Sequence, residues 1–163
     1  MMFKFCPSCG AKLSLKKIGD EGDVPFCETC EKPLFDCFYT CVITAVINEF
    51  NEVALIRQSY GDTDRFVLVS GFMKADESAE EAVKREVKEE LGLEVLAAKY
   101  IRSYPYPKRD NLMLGFVSKV NKANFKISCE LSDAQWFSPE EAFIKLEKSK
   151  IAKLVLEDYF RKK

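Results

Sequence analysis

An α/β domain behind a small cysteine-rich ribbon is the fold class this sequence predicts, on three observations. Four of its cysteines stand as two CxxC pairs, Cys6/Cys9 and Cys27/Cys30, within the first thirty residues. From Phe38 to Val120, segments dominated by Val, Ile, Thr and aromatics recur between polar breaks, the pattern of strands. Between two of these segments, Ser78 to Leu91 carries apolar residues at helical spacing. At 163 residues and 47% hydrophobic, the chain can bury one sizeable core plus an accessory module. The expected boundaries are 1–36 for the ribbon and 37–163 for the main domain.

Composition narrows the partners. A formal net charge of -1, from 25 basic and 26 acidic residues, gives no global attraction to nucleic acid or anionic membrane. No apolar run approaches the ~20 residues of a membrane span, and MMFKFCPSCG lacks the apolar stretch of a signal peptide. A cytoplasmic protein with no membrane partner is expected. Seven cysteines, an odd number in a chain with no export signal, favour thiols and metal binding over a disulfide framework.

The ribbon comes first. Cys6-Pro-Ser-Cys9-Gly and Cys27-Glu-Thr-Cys30 are knuckles with seventeen residues between them, a zinc-ribbon spacing. Four thiolates close a tetrahedral Zn2+ site with no open position, so the metal is expected to be structural. Roughly 35 residues with few large apolar groups could hardly fold alone, and zinc would supply the missing stability. Nucleic-acid binding by the ribbon is the alternative; Lys12, Lys16 and Lys17 are offset by Asp20, Glu21, Asp23, Glu28 and Glu31. Redox chemistry is disfavoured by the presence of two pairs at this spacing.

Pro33 to Asp36 reads as a joint, and Phe38 to Phe50 as the first long strand, with Cys37 and Cys41 as small buried residues on one of its faces. Asn51-Glu52 turns into Val53 to Arg57, which pairs with it as a hairpin. Ser59 to Arg65 is a polar loop suited to border a site, and Phe66 to Ser70 is a strand that delivers the chain to Gly71.

Ser78 and Glu81 form a capping box at the start of the helix, and Gly92 stops it. Projected at ~100° per residue, Ala79, Ala82, Val83, Val87 and Leu91 share one side. Glu86 and Glu90 fall in the middle of that apolar side, with Glu89 at its margin. Half-buried carboxylates are costly unless paired or bound to a cation, so the three together point to a hard divalent metal. The bland alternative is a solvated helix rich in Glu and Lys.

The same stretch matches, without a gap, the signature G-x5-E-x7-R-E-U-x-E-E-x-G-U, where U is a bulky aliphatic residue, through Gly71, Glu77, Arg85, Glu86, Val87, Glu89, Glu90, Gly92 and Leu93. It resembles the Nudix hydrolases. The resemblance implies an α/β/α sandwich with a mixed sheet, and hydrolysis of the pyrophosphate of a nucleoside diphosphate linked to another group, with Mg2+ or Mn2+ as cofactor. It implies that Glu86, Glu89 and Glu90 hold the metal, with a Gly71 carbonyl ligand, and that Arg85 and Glu77 pair to hold the preceding loop. With no histidine in the chain, a carboxylate is the natural base.

Glu94 to Tyr104 and Leu112 to Val120 read as further strands, joined by a proline-punctuated loop from Ser103 to Met113. As a sequence the loop is either a rigid connection or a substrate contact. It is similar to the S-Q-P-W-P-F-P-x-S-L-M segment of the zinc-ribbon NADH pyrophosphatase-like Nudix branch, whose members also remove NAD caps from RNA. Ser103, Pro105, Pro107, Leu112 and Met113 are retained, whereas Tyr104, Tyr106, Lys108, Arg109 and Asn111 depart from the pattern. The resemblance makes Ser103, Tyr104, Tyr106, Lys108, Arg109 and Met113 the expected substrate contacts, with Tyr104 or Tyr106 stacking and Lys108 or Arg109 near phosphates.

Cys129 to Phe137 reads as a strand similar to that branch's E-x-x-E-A-x-W-F, which makes Glu130 a distal metal ligand, or else a surface carboxylate; Asp133 replaces the second acid. Trp136 and Phe137 suit the core. Ser138 starts a helix with Pro139 in its first turn and Glu141 at N3, Ile151 to Phe160 is another, and Arg161 to Lys163 is a solvated end. NAD(H)-like substrates come first, with ADP-ribose, nucleotide sugars or oxidised nucleotides as alternatives, and a non-catalytic nucleotide or RNA sensor as the reading from another class. NAD-capped RNA is a candidate substrate, and a homodimer is expected from the branch.

Overall fold

In the computed structural model, which describes residues 3–61 and 63–161, the chain divides into two compact units, 1–39 and 40–163. Lys162 and Lys163, expected as part of a solvated end, lie outside the described residues.

The first unit is a three-stranded antiparallel sheet of β1 (Ser14–Lys17), β2 (Asp23–Cys27) and β3 (Lys32–Pro33), with β2 central. Its buried cluster is small, Cys6, Cys27 and Leu34, with Phe3, Ala11, Leu13 and Cys30 packed at its margin.

The second unit is built on β4 (Tyr39–Ile47), β5 (Val53–Gln58), β6 (Val69–Phe72), β7 (Ala97–Tyr106), β8 (Asn111–Lys119) and β9 (Leu131–Phe137). The sheet order is β7-β8-β4-β5-β9, with β6 also paired to β4. β4 and β5 share only two rungs next to their turn, Val46 opposite Ala54 and Ile47 opposite Val53. Beyond them the chain around Val67 bridges to Ile56, and β6 takes Cys41 to Thr44 of β4, so this segment wedges into the splayed hairpin. β8 runs parallel to β4, because Asn111 at its start donates to Cys41 and Val120 just past its end donates to Ile47. The other paired strands are antiparallel, so the sheet is mixed.

Alternation in the central strands sorts the core into two layers. Cys41, Ile43, Ala45, Ile47, Val53 and Leu55 face α2 (Pro139–Lys145) and α3 (Lys150–Phe160), where they meet Ala142, Leu146, Val155 and Leu156. Val42, Val46, Ala54 and Ile56 face α1 (Ala79–Leu91), through Ala82, Val83, Val87 and Leu91. The result is the expected α/β/α sandwich. Cys37 departs from expectation: β4 begins at Tyr39, so Cys37 lies outside the ladder and is exposed, whereas Cys41 is buried.

The predicted loop from Ser103 to Met113 is instead most of a hairpin. Ser103, Tyr104, Pro105 and Tyr106 pair with Leu114, Met113, Leu112 and Asn111, leaving only the 3-10 turn Pro107–Arg109 and Asp110 between the strands. Two prolines do not break it, because β7 is an edge strand and Pro107 starts the turn.

Candidate active site

The helix that organises the site is capped as its sequence predicts. Ser78 Oγ accepts from the Glu81 amide, Glu81 accepts from the Ser78 amide, and Gly92 closes the C-terminal end in the left-handed region at φ 70°. These ends set the rotation that buries Ala82, Val83, Val87 and Leu91, and Glu86 and Glu90 follow them inward, at 9% and 5% exposure.

Gly71 is required by that burial rather than by its backbone angles. A Cβ there would stand 2.0 Å from the Glu86 carboxylate carbon, so only hydrogen fits between β6 and the carboxylate. Arg85 then ties the preceding loop to the helix. Its Nε and Nη2 donate to the two oxygens of Glu77 at 2.9 and 2.5 Å, and Nη2 also donates to the Phe72 carbonyl. The guanidinium holds the Glu77 carboxyl at about 2, well below the usual range, and Glu77 in turn raises the pKa of Arg85. Nη1 of Arg85 donates to Glu86 Oε1 at 2.5 Å and Glu89 Oε2 at 3.1 Å.

Glu90 has no such partner. Its Oε2 is fully buried and makes no hydrogen bond. Burial, then the charges of Glu86, Glu130 and Glu89, push its carboxyl up to about 8. Burial also raises Glu86, against the pull of Arg85. A buried, unpaired carboxylate oxygen amid three other carboxylates is a costly arrangement that a divalent cation would offset, and all-oxygen donors suit Mg2+ or Mn2+. The residues therefore fit the implied metal. Among the described residues, the helix carboxylates are not drawn into a cluster as tight as that of the cysteines, because Arg85 holds Glu86 and Glu89 to its own side.

Glu130 sits exposed in the turn just before β9, not in the strand itself. What carries it to the helix is a segment that sequence reasoning missed, 121–130, which lacks regular structure. Lys126 and Ser128 donate from their amides to the carbonyls of Leu91 and Glu90, covering the open end of α1, and Ser59 donates to the Glu130 carbonyl. Asn-Lys-Ala-Asn-Phe-Lys-Ile-Ser offers neither periodicity nor a turn signature, so its path was not readable. One signal existed in retrospect: a side chain at Gly92 would collide with Lys126 at 2.7 Å.

The expected substrate contacts divide. Tyr104 is 4% exposed; its hydroxyl donates to Asp158 Oδ2 at 2.8 Å, and its ring lies against Gly115, where a Cβ would be 2.5 Å away. Arg102 lies over the ring at 5.3 Å. A ring enclosed in this way has no face for a base, which corrects the expectation that Tyr104 stacks on substrate. Met113 is buried in the same layer. Tyr106 and Ser103 are half-buried, and Lys108 and Arg109 are exposed at the hairpin turn.

In the first unit the four cysteine sulfurs lie within 4.8 Å of one another. The Cys6 to Cys30 and Cys9 to Cys27 separations, 4.0 and 3.5 Å, bracket the ~3.8 Å edge of a tetrahedron with ~2.3 Å metal–sulfur bonds. The Ser8 amide pulls the Cys6 thiol down to about 6, and the Cys30 amide donates to Cys27 Sγ at 3.4 Å. Amides aimed at sulfur orient thiolates toward a cation.

Known proteins resemble this chain in sequence and in fold. A family model described as "NUDIX domain" matches residues 39–159. The chain is 32% identical over 136 residues to the NAD-capped RNA hydrolase NudC of Vibrio atlanticus (strain LGP32), covering 82% of this chain and 49% of that protein. It is 38% identical over 145 residues to Nudix hydrolase 19, chloroplastic, of Arabidopsis thaliana, covering 85% and 33% respectively. The chain thus spans half or less of the length of these curated relatives. Among solved structures, a NUDIX hydrolase from Nitrosomonas europaea superposes with a TM-score of 0.69 at 21% identity, covering 88% of this chain and 82% of the other. With the signature residues running from β6 through α1 and the family model spanning the second unit, this chain belongs to the NUDIX domain family.

Proposed function

We propose that this chain is a divalent-metal-dependent pyrophosphohydrolase that cleaves a nucleoside diphosphate linked to a second group, NAD-like compounds first, either free or at the 5′ end of RNA. The observation that carries the reading is the buried, unpartnered Glu90 Oε2 beside Glu86. The relative named as an NAD-capped RNA hydrolase supports the substrate class.

In this reading Glu86, Glu89, Glu90 and Glu130, with the Gly71 carbonyl, hold Mg2+ or Mn2+. Bound there, the ion supplies positive charge against the diphosphate and makes water more acidic. Glu77 and Arg85 fix the loop between β6 and α1, so that Gly71 and the helix keep their spacing. A carboxylate of this set accepts the proton from the attacking water. Tyr106, Ser103, Lys108 and Arg109 contact the substrate from the hairpin, and Cys6, Cys9, Cys27 and Cys30 hold a structural Zn2+. A cytoplasmic homodimer belongs to the same reading, checked by light scattering and cell fractionation.

The test is a hydrolysis panel with Mg2+ and with Mn2+, comparing NAD+, NADH, an NAD-capped oligonucleotide, ADP-ribose and a nucleotide sugar. Metal-dependent release of a nucleoside monophosphate from the NAD compounds is expected. Turnover of only ADP-ribose or a nucleotide sugar would move the substrate assignment. Binding without turnover of any compound would leave a sensor.

A further inference from the structure

β9 does not run regularly out of the turn that carries Glu130. Val53 to Arg57 of β5 face Phe137 to Asp133 of β9 one for one, but the next residue, Gln58, faces Leu131, so Ser132 is an extra residue in the ladder. Ala134 and Trp136 pack into the α1 layer, and strict alternation would give the next place there to Ser132; Leu131 holds it instead. The extra residue is a β-bulge, a device that bends a strand and re-aims the side chains beside it. The Ser132 hydroxyl lies across the bulge, with the carbonyls of Arg57 and Gln58 as acceptors at 3.4 and 3.3 Å.

Two further serines hold the chain beside the bulge. Ser59, the residue after β5, donates from its amide to the Glu130 carbonyl at 2.8 Å and from its hydroxyl to the Cys129 carbonyl at 3.1 Å. On the other side, Ser128 donates from its amide to the carbonyl of Glu90 itself at 3.3 Å, and its hydroxyl accepts from the Glu130 amide at 3.3 Å. Residues 128–130 are thereby pinned between the loop after β5 and the last turn of α1. Among the described residues, no hydrogen bond or ion pair reaches the Glu130 carboxylate, so this backbone sets where it stands. Its charge is felt at Glu90, behind only burial and the charge of Glu86.

β9 is an edge strand, and a bulge there also discourages pairing with another chain. That role needs neither serine hydroxyl nor a fixed Glu130, whereas the observed bonds run from β5 and its loop to the bulge and to the two residues at Glu130. We propose that Ser59 and the bulge residue Ser132 are positioning residues that act through Glu130, holding its carboxylate toward Glu90 for a divalent cation that the two share. This rests on the proposed function in taking Glu130 as a ligand of the metal. The bulge then explains how a residue outside the regular strand, on an irregular segment, keeps a fixed distance from a carboxylate on α1.

The experiment measures Mn2+ binding to the full chain from the electron paramagnetic resonance signal of the free ion, with Tm in the absence of added metal as the check on folding. The variants are Ser59→Ala/Ser132→Ala and a deletion of Ser132, each with Glu130 intact and with Glu130→Gln. Glu130→Gln alone should weaken Mn2+ binding by about tenfold or more. The double serine variant should weaken it about fivefold, the scale of the lost hydrogen bonds. The deletion should cost as much as Glu130→Gln, because Leu131 keeps its place in the core while Glu130 is drawn back by one strand step of ~3.3 Å. On the Glu130→Gln background neither change should cost more than about twofold, a non-additivity that serines acting on stability alone would not produce. Should the deletion disturb folding, the double serine variant decides alone. Serine variants that bind Mn2+ like the parent, or that lose as much without Glu130 as with it, overturn the positioning role and leave the proposed function standing. Glu130→Gln that binds like the parent overturns it as well, by removing Glu130 from the metal. Mn2+ binding with the expected non-additivity, in a parent that hydrolyses no diphosphate, would keep the positioning role and overturn the proposed function.

Discussion

A methyl group at residue 71 would have to occupy the space of the Glu86 carboxylate, 2.0 Å from its carbon. Gly71→Ala should therefore displace Glu86 and reduce kcat at least a hundredfold, while the antiparallel pairing of β6 with β4 survives; kinetics alongside circular dichroism would show both. Glu90 makes the complementary point. Glutamine is nearly isosteric and places no charge in a buried position, so Glu90→Gln should melt at about the parental temperature in EDTA. The parent should gain Tm with Mn2+ by linkage, and the variant should not; an equal gain would remove Glu90 from the metal site. Glu77 supplies a pH signature. Its folded pKa is depressed from 4.5 to about 2 by Arg85, so its contribution to stability is present above pH 4.5 and is lost as pH falls toward 2. The destabilisation caused by Glu77→Gln should thus be seen in denaturant midpoints at pH 6 and vanish near pH 2.

Elements show where a sequence stops being legible. α1 was readable to the residue because its caps and its violated apolar pattern are local facts: Ser78, Glu81 and Gly92 bound it, and Glu86 and Glu90 stand where leucines would. The β7–β8 hairpin was misread because Pro105 and Pro107 argue for a loop unless the strand is known to be an edge, which is a property of the sheet. The segment 121–130 was unreadable for a similar reason, since its backbone bonds to scattered, distant partners, among them Leu91 and Glu90 of α1, Glu49, Ser59 and Trp136. The hairpin also carries the buried Tyr104 and the half-buried Tyr106, the second proposed as a substrate contact. Tyr104→Phe leaves Asp158 without its O–H donor and should cost about 1 kcal/mol of stability with KM unchanged. Tyr106→Ala should raise KM for NAD-like substrates, by up to about tenfold if it stacks. If the two variants exchange these phenotypes, the roles proposed for the two tyrosines are reversed.

For the whole molecule, each unit has its own core, and the two differ in what stabilises them. Residues 40–163 bury two layers of aliphatic side chains against the sheet. The ribbon buries little beyond Cys6, Cys27 and Leu34, with Val24 and Phe26, too few groups to offset the ordering of its backbone. A thiolate-bound zinc contributes ~10–16 kcal/mol in comparable small modules, enough to decide whether such a unit folds. The four sulfurs already lie within 4.8 Å of one another, so the metal is expected to be part of the folded ribbon and independent of the Mg2+ or Mn2+ proposed at α1. Cys9→Ser should then release one equivalent of zinc. Hydrogen exchange should show the amides of β1, β2 and β3 losing protection while those of β4 through α3 keep theirs. Since β4 through α3 contain every carboxylate of the candidate catalytic set, hydrolysis should persist in that variant. Parent protein free of zinc by elemental analysis, or a ribbon equally protected in Cys9→Ser, would show that the cysteine unit folds without its metal.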